Sequence, residues 1–447
     1  MNKFSRIGFI LAAAGSAVGL GNIWKFPYIT GEYGGGAFVI IYLLCILFIG
    51  LTVFIAESLI GQNSQANVAS SFVDTSKSKN PKWKYAVFMV FSGLIILSFY
   101  SVVLGWILKY IFISISDLPT STQIATDTFN NLVSKDIFSQ ILLHTVVSLT
   151  VIWIVLKGIK DGIEKLNLIL MPLLAIILFG LFAYSLTLNS FSKSLEFMFY
   201  ADWSKINKDA FLAALGQAFF TLSLGIGTII TYSASLSKDV NIVKSSILVA
   251  LVDTFVALIA GVIIFAFLFE AGAQSSAGPG LVFISLPVIF EQWGTLGNIV
   301  AVSFFVALIF AGITSAVSMI EPVLMFFIER FNMTRNKATI ICGSIFYSLG
   351  IIALLSMSSS YGAQLTFFNK NAFDWMDFVT SSIMMPLAAF ITCIFLGYFV
   401  DKKSVYELVT PYRAKDKSIL LDMWTCVRNF DENMFERLQA NGYISTL

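Results

Sequence analysis

The hydrophobic positions of this chain gather into ten long blocks separated by short polar stretches. The blocks run over about 6–30, 37–60, 84–112, 137–157, 163–188, 209–235, 243–269, 298–328, 337–357 and 374–400. Each is long enough to carry a helix across a bilayer, which takes about 20 apolar residues. Two blocks are broken at their centres by glycine and small polar residues. The first contains Gly15-Ser16-Ala17-Val18-Gly19-Leu20-Gly21-Asn22, and the sixth contains Phe220-Thr221-Leu222-Ser223-Leu224-Gly225-Ile226-Gly227. Lipid offers no partner to open backbone groups, so an interrupted membrane helix persists only where the break faces a cavity inside the protein. Its free N–H and C=O groups then serve as ligands for an anion and a cation. Breaks at matching places in two halves of a chain point to a transport site.

Lys and Arg collect on the cytoplasmic side of membrane proteins. With the N-terminus inside, all of the 28 basic residues fall on that side except Lys25, Lys109, Lys135, Lys193, Lys205, Lys208 and Lys370. Both termini are therefore expected in the cytoplasm, in a multi-pass protein of the inner (plasma) membrane. Five spans per half is an odd number, so the second half enters the bilayer upside down. The expected organisation is an all-α membrane protein with a 5+5 inverted repeat: residues 1–188, an outer loop at 189–208, a second repeat at 209–400, and a cytoplasmic tail at 401–447. The Gly/Pro-rich stretch Gly272–Pro287 reads as an outer loop or a re-entrant lid.

Composition agrees. Hydrophobic residues make up 57% of the chain and charged residues 12%, half of the roughly 25% usual in soluble domains. The net charge of +2 gives no reason to expect nucleic acid as a partner; the lipid bilayer is the expected surrounding. Cys45, Cys342, Cys393 and Cys426 show no metal-ligand spacing. The first block has no small-residue cleavage site of a secretory leader. No phosphate loop, metal cluster, nucleophile triad or dinucleotide fingerprint is present, so an enzyme is not expected. His144, the one histidine, falls within the fourth block and is given no role.

The run Gly15-Ser-Ala-Val-Gly-Leu-Gly-Asn-Ile-Trp-Lys-Phe-Pro-Tyr28 followed by Gly34-Gly-Gly-Ala-Phe38 resembles the first helix of the neurotransmitter:sodium symporter family, the bacterial amino-acid members above all. Gly216-Gln-Ala-Phe-Phe-Thr-Leu-Ser-Leu-Gly225 resembles its sixth helix, and Ala311-Gly-Ile-Thr-Ser315 its eighth. The resemblance covers about residues 4–400. It implies a leucine-transporter-like fold and sodium-coupled uptake of an amino acid, with two sodium ions as co-substrates.

The resemblance assigns residues one by one. The first sodium would meet the Ala17 and Thr221 carbonyls, the Asn22 and Thr221 side chains, and Asp253. The family more often has Asn at that last position, with chloride or a Glu one turn on supplying negative charge. The later position here is Ala257, so Asp253 is expected to carry the charge itself and chloride to be dispensable. An acid deep in a membrane span is by default functional; a structural cap is the alternative. The second sodium would meet the Gly15, Val18 and Ala311 carbonyls and the Thr314 and Ser315 hydroxyls. Those hydroxyls could instead bond the preceding turn of their own helix.

The substrate is expected against Ser16, Ala17, Leu20, Gly21, Ile96, Tyr100, Phe220, Thr221, Ser223, Ile226, Ser315 and Met319. Free N–H groups near Leu20-Gly21 and the Tyr100 hydroxyl suit a carboxylate. Ile96, Ile226 and Met319 would strand a charged side chain, so a hydrophobic or aromatic α-amino acid is expected. Lys25 and Asp377 match the outer gate, with Lys in place of the usual Arg. Glu329 matches the acid of the inner gate, but the N-terminal Arg and Trp that pair with it are absent, Lys3 standing at the Trp position. Gly162 and Pro172 match a Gly-x9-Pro signature for unwinding the inner end of the fifth helix. Glu57 matches an acid that supports the two breaks.

The family usually has eleven or twelve spans and this chain has ten, which leaves open a short natural version, a frameshifted end or a truncation. Alternative functions are a non-transporting amino-acid sensor of the same fold and a proton-coupled amino-acid transporter. A homodimer is a candidate assembly.

Overall fold

The computed structural model describes residues 4–238, 240–272 and 280–400. Its helices, in chain order, are α1 (Arg6–Ala17), α2 (Gly21–Glu32), α3 (Gly36–Ser64), α4 (Val68–Thr75), α5 (Pro81–Ile115), α6 (Thr122–Asn130), α7 (Ile137–Leu156) and α8 (Ile159–Ser185). They continue as α9 (Phe191–Phe199), α10 (Lys208–Thr221), α11 (Thr228–Ala234), α12 (Ile242–Glu270), α13 (Leu281–Glu291), α14 (Gly294–Phe331), α15 (Arg335–Ser356) and α16 (Ala372–Phe399). Among the described residues, eight helices are long and apolar enough to cross a membrane, and the pair α1–α2, bent by 44°, makes a ninth span. The sixth expected span is divided between α10 and α11, each too short to cross alone.

Helix starts follow the capping rule that a short polar side chain takes a free N–H of the first turn. Ser5 does so for α1, Asn67 for α4, Asn241 for α12 and Thr334 for α15. Of the apolar stretch of α5, 78% is buried, against 28% for α8. α5 thus runs through the middle of the bundle, and α8 turns Leu173, Ile176 and Phe179 outward, as a lipid-facing helix does. α14 lies along α5, and Gly312 permits the close approach: a Cβ there would strike the Leu104 side chain. His144 joins three helices: its Nδ1 lies 3.2 Å from Ser101 Oγ, its Nε2 lies 3.2 Å from the Tyr347 carbonyl, and its ring stacks on Tyr347.

The connections hold more structure than their polarity suggests. The expected outer loop at 189–208 contains α9 and a bridge between Gly35 and Ala201. The stretch Gly272–Pro287 leads into α13, a buried helix whose Phe283 packs on Trp24, Trp106, Tyr110 and Phe129. The tail at 401–447 and Lys3 lie outside the described residues.

Candidate functional site

The two breaks face each other in the core. α1 ends at Ala17, and Val18 is extended (φ −70°, ψ 101°). The Asn22 side chain closes the loop by accepting from Gly19 N at 3.0 Å. In the second break Ser223, Gly225 and Gly227 all have positive φ, at 54°, 75° and 79°. Gly225 has no alternative: a Cβ there would also meet the Met385 backbone. Backbone groups freed by the breaks find side-chain partners from outside. Glu57 of α3 accepts from Gly225 N at 2.8 Å, and Gln217 donates to the Gly21 carbonyl at 2.8 Å.

A seam of hydroxyls ties the breaks together. Ser223 donates to the Ser16 carbonyl at 2.8 Å, and Ser16 and Ser318 hydroxyls lie 2.7 Å apart. Ser318 in turn donates to the Ser315 carbonyl at 2.7 Å. Ser318 and Gln217 were not among the residues expected here. Ser318 follows Ser315 by three positions and so shares its face of α14, a signal the sequence did contain.

The residues expected around the first sodium converge. Asp253 of α12 is fully buried. Its carboxylate accepts from Asn22 Nδ2 at 2.7 Å and from Thr221 Oγ1 at 3.0 Å, and its own carbonyl accepts from Asn22 Nδ2 at 3.0 Å. Both breaks and α12 thus meet at one acidic group, and Ala17, the last residue of α1, is buried. Among the described residues Asp253 is in no ion pair with a basic side chain, and carboxylate, amide and hydroxyl oxygens are the ligands that a hard cation selects.

Around the second expected sodium, Ser315 Oγ lies 3.3 Å from the Gly15 carbonyl and 3.1 Å from the Ala311 carbonyl. Thr314 Oγ1 donates to the Phe310 and Ala311 carbonyls at 3.1 and 2.9 Å, the own-helix bonds that the sequence left open. Val18 follows α1 directly. The oxygens of Gly15, Ala311, Thr314 and Ser315 are therefore neighbours.

The substrate residues divide by depth. Leu20, Tyr100 and Phe220 border a cavity of about 220 Å³ that opens outward past Trp24, Tyr28 and Phe99. Leu20 N lies 3.4 Å from the Tyr100 hydroxyl. A Cβ at Gly19 would sit 2.6 Å from Ser315 Oγ and 3.3 Å from Tyr100 OH, and one at Gly21 would sit 3.0 Å from the Phe220 ring. Ile96, Ser223, Ile226 and Met319 are buried at 1–5% exposure and do not border the cavity.

The outer-gate residues Lys25 and Asp377 both border that cavity, but no ion pair joins them among the described residues. Lys25 Nζ instead lies 4.8 Å above the Phe220 ring, and Asp377 accepts from Ser381 at 2.8 Å. At the end of the bundle expected to face inward, Glu329 accepts from the Asn67 backbone and side chain at 2.8 and 2.6 Å, holding the start of α4. That end is closed by other groups. Phe4 is buried, packs on Phe9 and Tyr232, and donates its N–H to the Ser235 carbonyl at 3.0 Å. Arg335 and Glu321 form a two-pronged ion pair at 3.0 and 2.6 Å. α8 begins with a π-helical turn over Ile159–Glu164 that contains buried Gly162, and Pro172 lies inside it further on. The inner end of this helix is deformed while remaining helical.

Comparison with known proteins places this geometry. The family model described as the sodium:neurotransmitter symporter family matches residues 2–139 and 133–427. An uncharacterized sodium-dependent transporter of Haemophilus influenzae is 34% identical, over 90% of this chain and 90% of its own. The Bacillus subtilis sodium-dependent transporter YhdH is 35% identical, over 90% of this chain and 88% of its own. The crystal structure of MhsT in complex with L-phenylalanine is 39% identical and matches with a TM-score of 0.86, over 96% of this chain and 97% of that one.

Proposed function

The chain belongs to the sodium:neurotransmitter symporter family, and from that premise we propose that it imports a hydrophobic or aromatic α-amino acid together with two sodium ions by alternating access. The observation that carries this reading is the meeting of Asn22, Thr221 and Asp253 where both broken spans converge. A cation held there touches both halves of the chain, so its binding acts on both. Further support comes from a relative whose crystal structure holds L-phenylalanine and from the buried apolar set Ile96, Ile226 and Met319.

In this reading the amino acid's carboxylate lies against the N–H groups near Leu20-Gly21 and the Tyr100 hydroxyl, and completes the ligand shell of the first ion. Its amine meets carbonyls of Ala17, Phe220 and Thr221. Its side chain enters between Ile96, Ser223, Ile226 and Met319, and Phe220 closes above it. The second ion sits among Gly15, Val18, Ala311, Thr314 and Ser315. Asp253 supplies the negative charge near the first ion, which makes chloride dispensable. The cavity above Phe220 and the packed inner face match an outward-facing step of the cycle. Closure then needs Lys25 and Asp377 to approach across the cavity mouth. Opening inward needs Phe4 to leave Tyr232 and the Arg335–Glu321 pair to part.

The deciding experiment is uptake of a panel of radiolabelled amino acids into proteoliposomes, with an inward sodium gradient against an equal potassium gradient. Sodium-driven accumulation of Leu, Met, Phe, Tyr or Trp is expected. Sodium-dependent binding without any accumulation would refute transport and move the chain to the sensor reading.

A further inference from the structure

A second cavity, of about 550 Å³, lies between the end of α5 and the short helix α6 and shares no residue with the breaks or with the cavity above Phe220. Its size falls within the roughly 300–1,000 Å³ of small-molecule sites. Four charged side chains line it: Lys109 of α5, Asp127 of α6, and Lys135 and Asp136 from the turn that leads into α7. The amides of Asn130 and Asn131 line it as well. Among the described residues, no ion pair engages either lysine. The acids are held in place by neutral groups. Asp127 accepts from Gln123 at 3.1 Å, and Asp136 caps α7 by accepting from Ser139 N at 3.0 Å. Two cations and two anchored anions thus line one cavity without pairing. Both lysines also belong to the few basic residues that the expected orientation puts away from the cytoplasm, against the usual trend.

The cavity sits where two spans end. Lys109 lies six residues, about 9 Å, before the end of α5 at Ile115, and Asp136 directly precedes α7. The exposed side chains next to these positions are apolar: Phe112 and Ile115 beyond Lys109, Phe138 beyond Asp136, and Ile124 in the lining itself. A charged cup beside exposed apolar side chains, at the ends of two spans, lies at the depth of lipid headgroups. A ligand that suits it carries an anion for the lysines, a cation for the carboxylates and apolar chains. A headgroup with a net negative charge leaves the carboxylates unanswered, and a trimethylated nitrogen has no N–H to donate to them. We propose that this cavity seats the headgroup of phosphatidylethanolamine, its phosphate on Lys109 and Lys135, its ammonium on Asp127 and Asp136, and its chains along Phe112 and Phe138. The lining is fastened to the bundle: Phe129 of α6 packs on Trp106 and Phe283, and the Ser134 carbonyl accepts from Ser359 N at 2.8 Å. A lipid seated there braces the connection between α5 and α7.

In the test, purified protein stripped of lipid in detergent is titrated with phosphatidylethanolamine, phosphatidylcholine or phosphatidylglycerol of identical chains, and bound lipid is counted by native mass spectrometry. Wild type should hold phosphatidylethanolamine about tenfold more tightly than either of the others, the worth of one charge-assisted contact. Lys109→Gln with Lys135→Gln should weaken that binding about tenfold, while Lys205→Gln, outside the cavity, should leave it unchanged. Asp127→Asn with Asp136→Asn keeps an acceptor for Gln123 and a cap for α7 but removes both negative charges. That pair should reverse the order and favour phosphatidylglycerol, a change that a packing role does not produce. Phosphoethanolamine, the headgroup without chains, should displace the lipid only at about a hundredfold higher concentration, since it makes no apolar contact. Displacement at equal concentration overturns the lipid and makes the cavity a site for a soluble zwitterion. Tighter binding of phosphatidylglycerol than of phosphatidylethanolamine by wild type, or equal binding of all three lipids, also overturns the proposal. If the Asp variants do not fold, the wild-type ranking and the Lys variants carry the same test.

Discussion

Replacing Asp253 by Ala tests the centre of the proposal. The carboxylate accepts from Asn22 at 2.7 Å and from Thr221 at 3.0 Å, while the main-chain carbonyl of the same residue also accepts from Asn22 at 3.0 Å. D253A therefore leaves Asn22 one of its two acceptors and takes both carboxylate oxygens from the Thr221 hydroxyl. An orphaned buried donor costs about 1–3 kcal/mol. Against that, the variant no longer buries a carboxylate that lacks a basic partner, which relieves several kcal/mol of desolvation. The two effects oppose, so the ion-free protein should unfold within a few degrees of wild type. Sodium feels only the loss. An ion at about 2.4 Å from a carboxylate oxygen gains roughly 7 kcal/mol at an effective dielectric of about 20. If about a third of that survives competition with water, sodium binds more weakly by roughly 2 kcal/mol, or about 30-fold. The assay is phenylalanine binding to purified protein titrated with sodium, beside thermal unfolding without sodium. A half-saturation within twofold of wild type would refute the argument and make Asp253 a brace between Asn22 and Thr221.

Three other outcomes are expected. Substituting gluconate for chloride should leave sodium-driven uptake unchanged in wild type; a strict chloride requirement would remove Asp253 as the source of charge. Lys25→Ala loses a cation lying 4.8 Å above the Phe220 ring, an interaction of about 0.5–2 kcal/mol. Uptake should slow several-fold while equilibrium affinity for substrate stays within about threefold, and loss of folded protein would make Lys25 structural. Phe4→Ala empties a buried aromatic site against Tyr232, which in the proposed cycle exists only while the inner face is closed. A loss of about 3 kcal/mol applied to that state alone should raise reactivity of a cysteine placed at Ser16 toward a membrane-impermeant reagent on the cytoplasmic side. Unchanged labelling would show that Phe4 does not hold the inner face.

The spans were legible because bilayer thickness dictates their length, and the breaks because runs of glycine and small polar residues stand at the centres of two apolar blocks. What the sequence hid depends on partners distant along the chain. Leu281–Glu291 follows glycines and holds a proline, so it resembles a loop until Phe283 is seen packed among aromatic rings from four other helices. Glu329 carries no local sign that it will hold Asn67. Phe4 is one apolar residue in a polar leader, and only its contact with Tyr232 marks it as the plug where a Trp was sought. Asn167 looks like a stray polar residue in a lipid-facing helix, and only the space left by Gly15, more than 150 residues away in the chain, shows how its side chain is housed.

The hydroxyl seam has a consequence for energy coupling. Because Ser16, Ser223 and Ser318 bind the breaks to each other, neither loop is ordered alone. Whatever holds the loop at Gly15–Asn22 in place also holds the one at Leu222–Gly227, so the second guest meets a site that the first has already helped to fix. Thermodynamic linkage makes the benefit mutual: the factor by which sodium tightens the amino acid is the factor by which the amino acid tightens sodium. A carrier with that reciprocity populates its empty and fully loaded forms at the expense of half-loaded ones, and the scarcity of half-loaded protein is what keeps a gradient from leaking away unused.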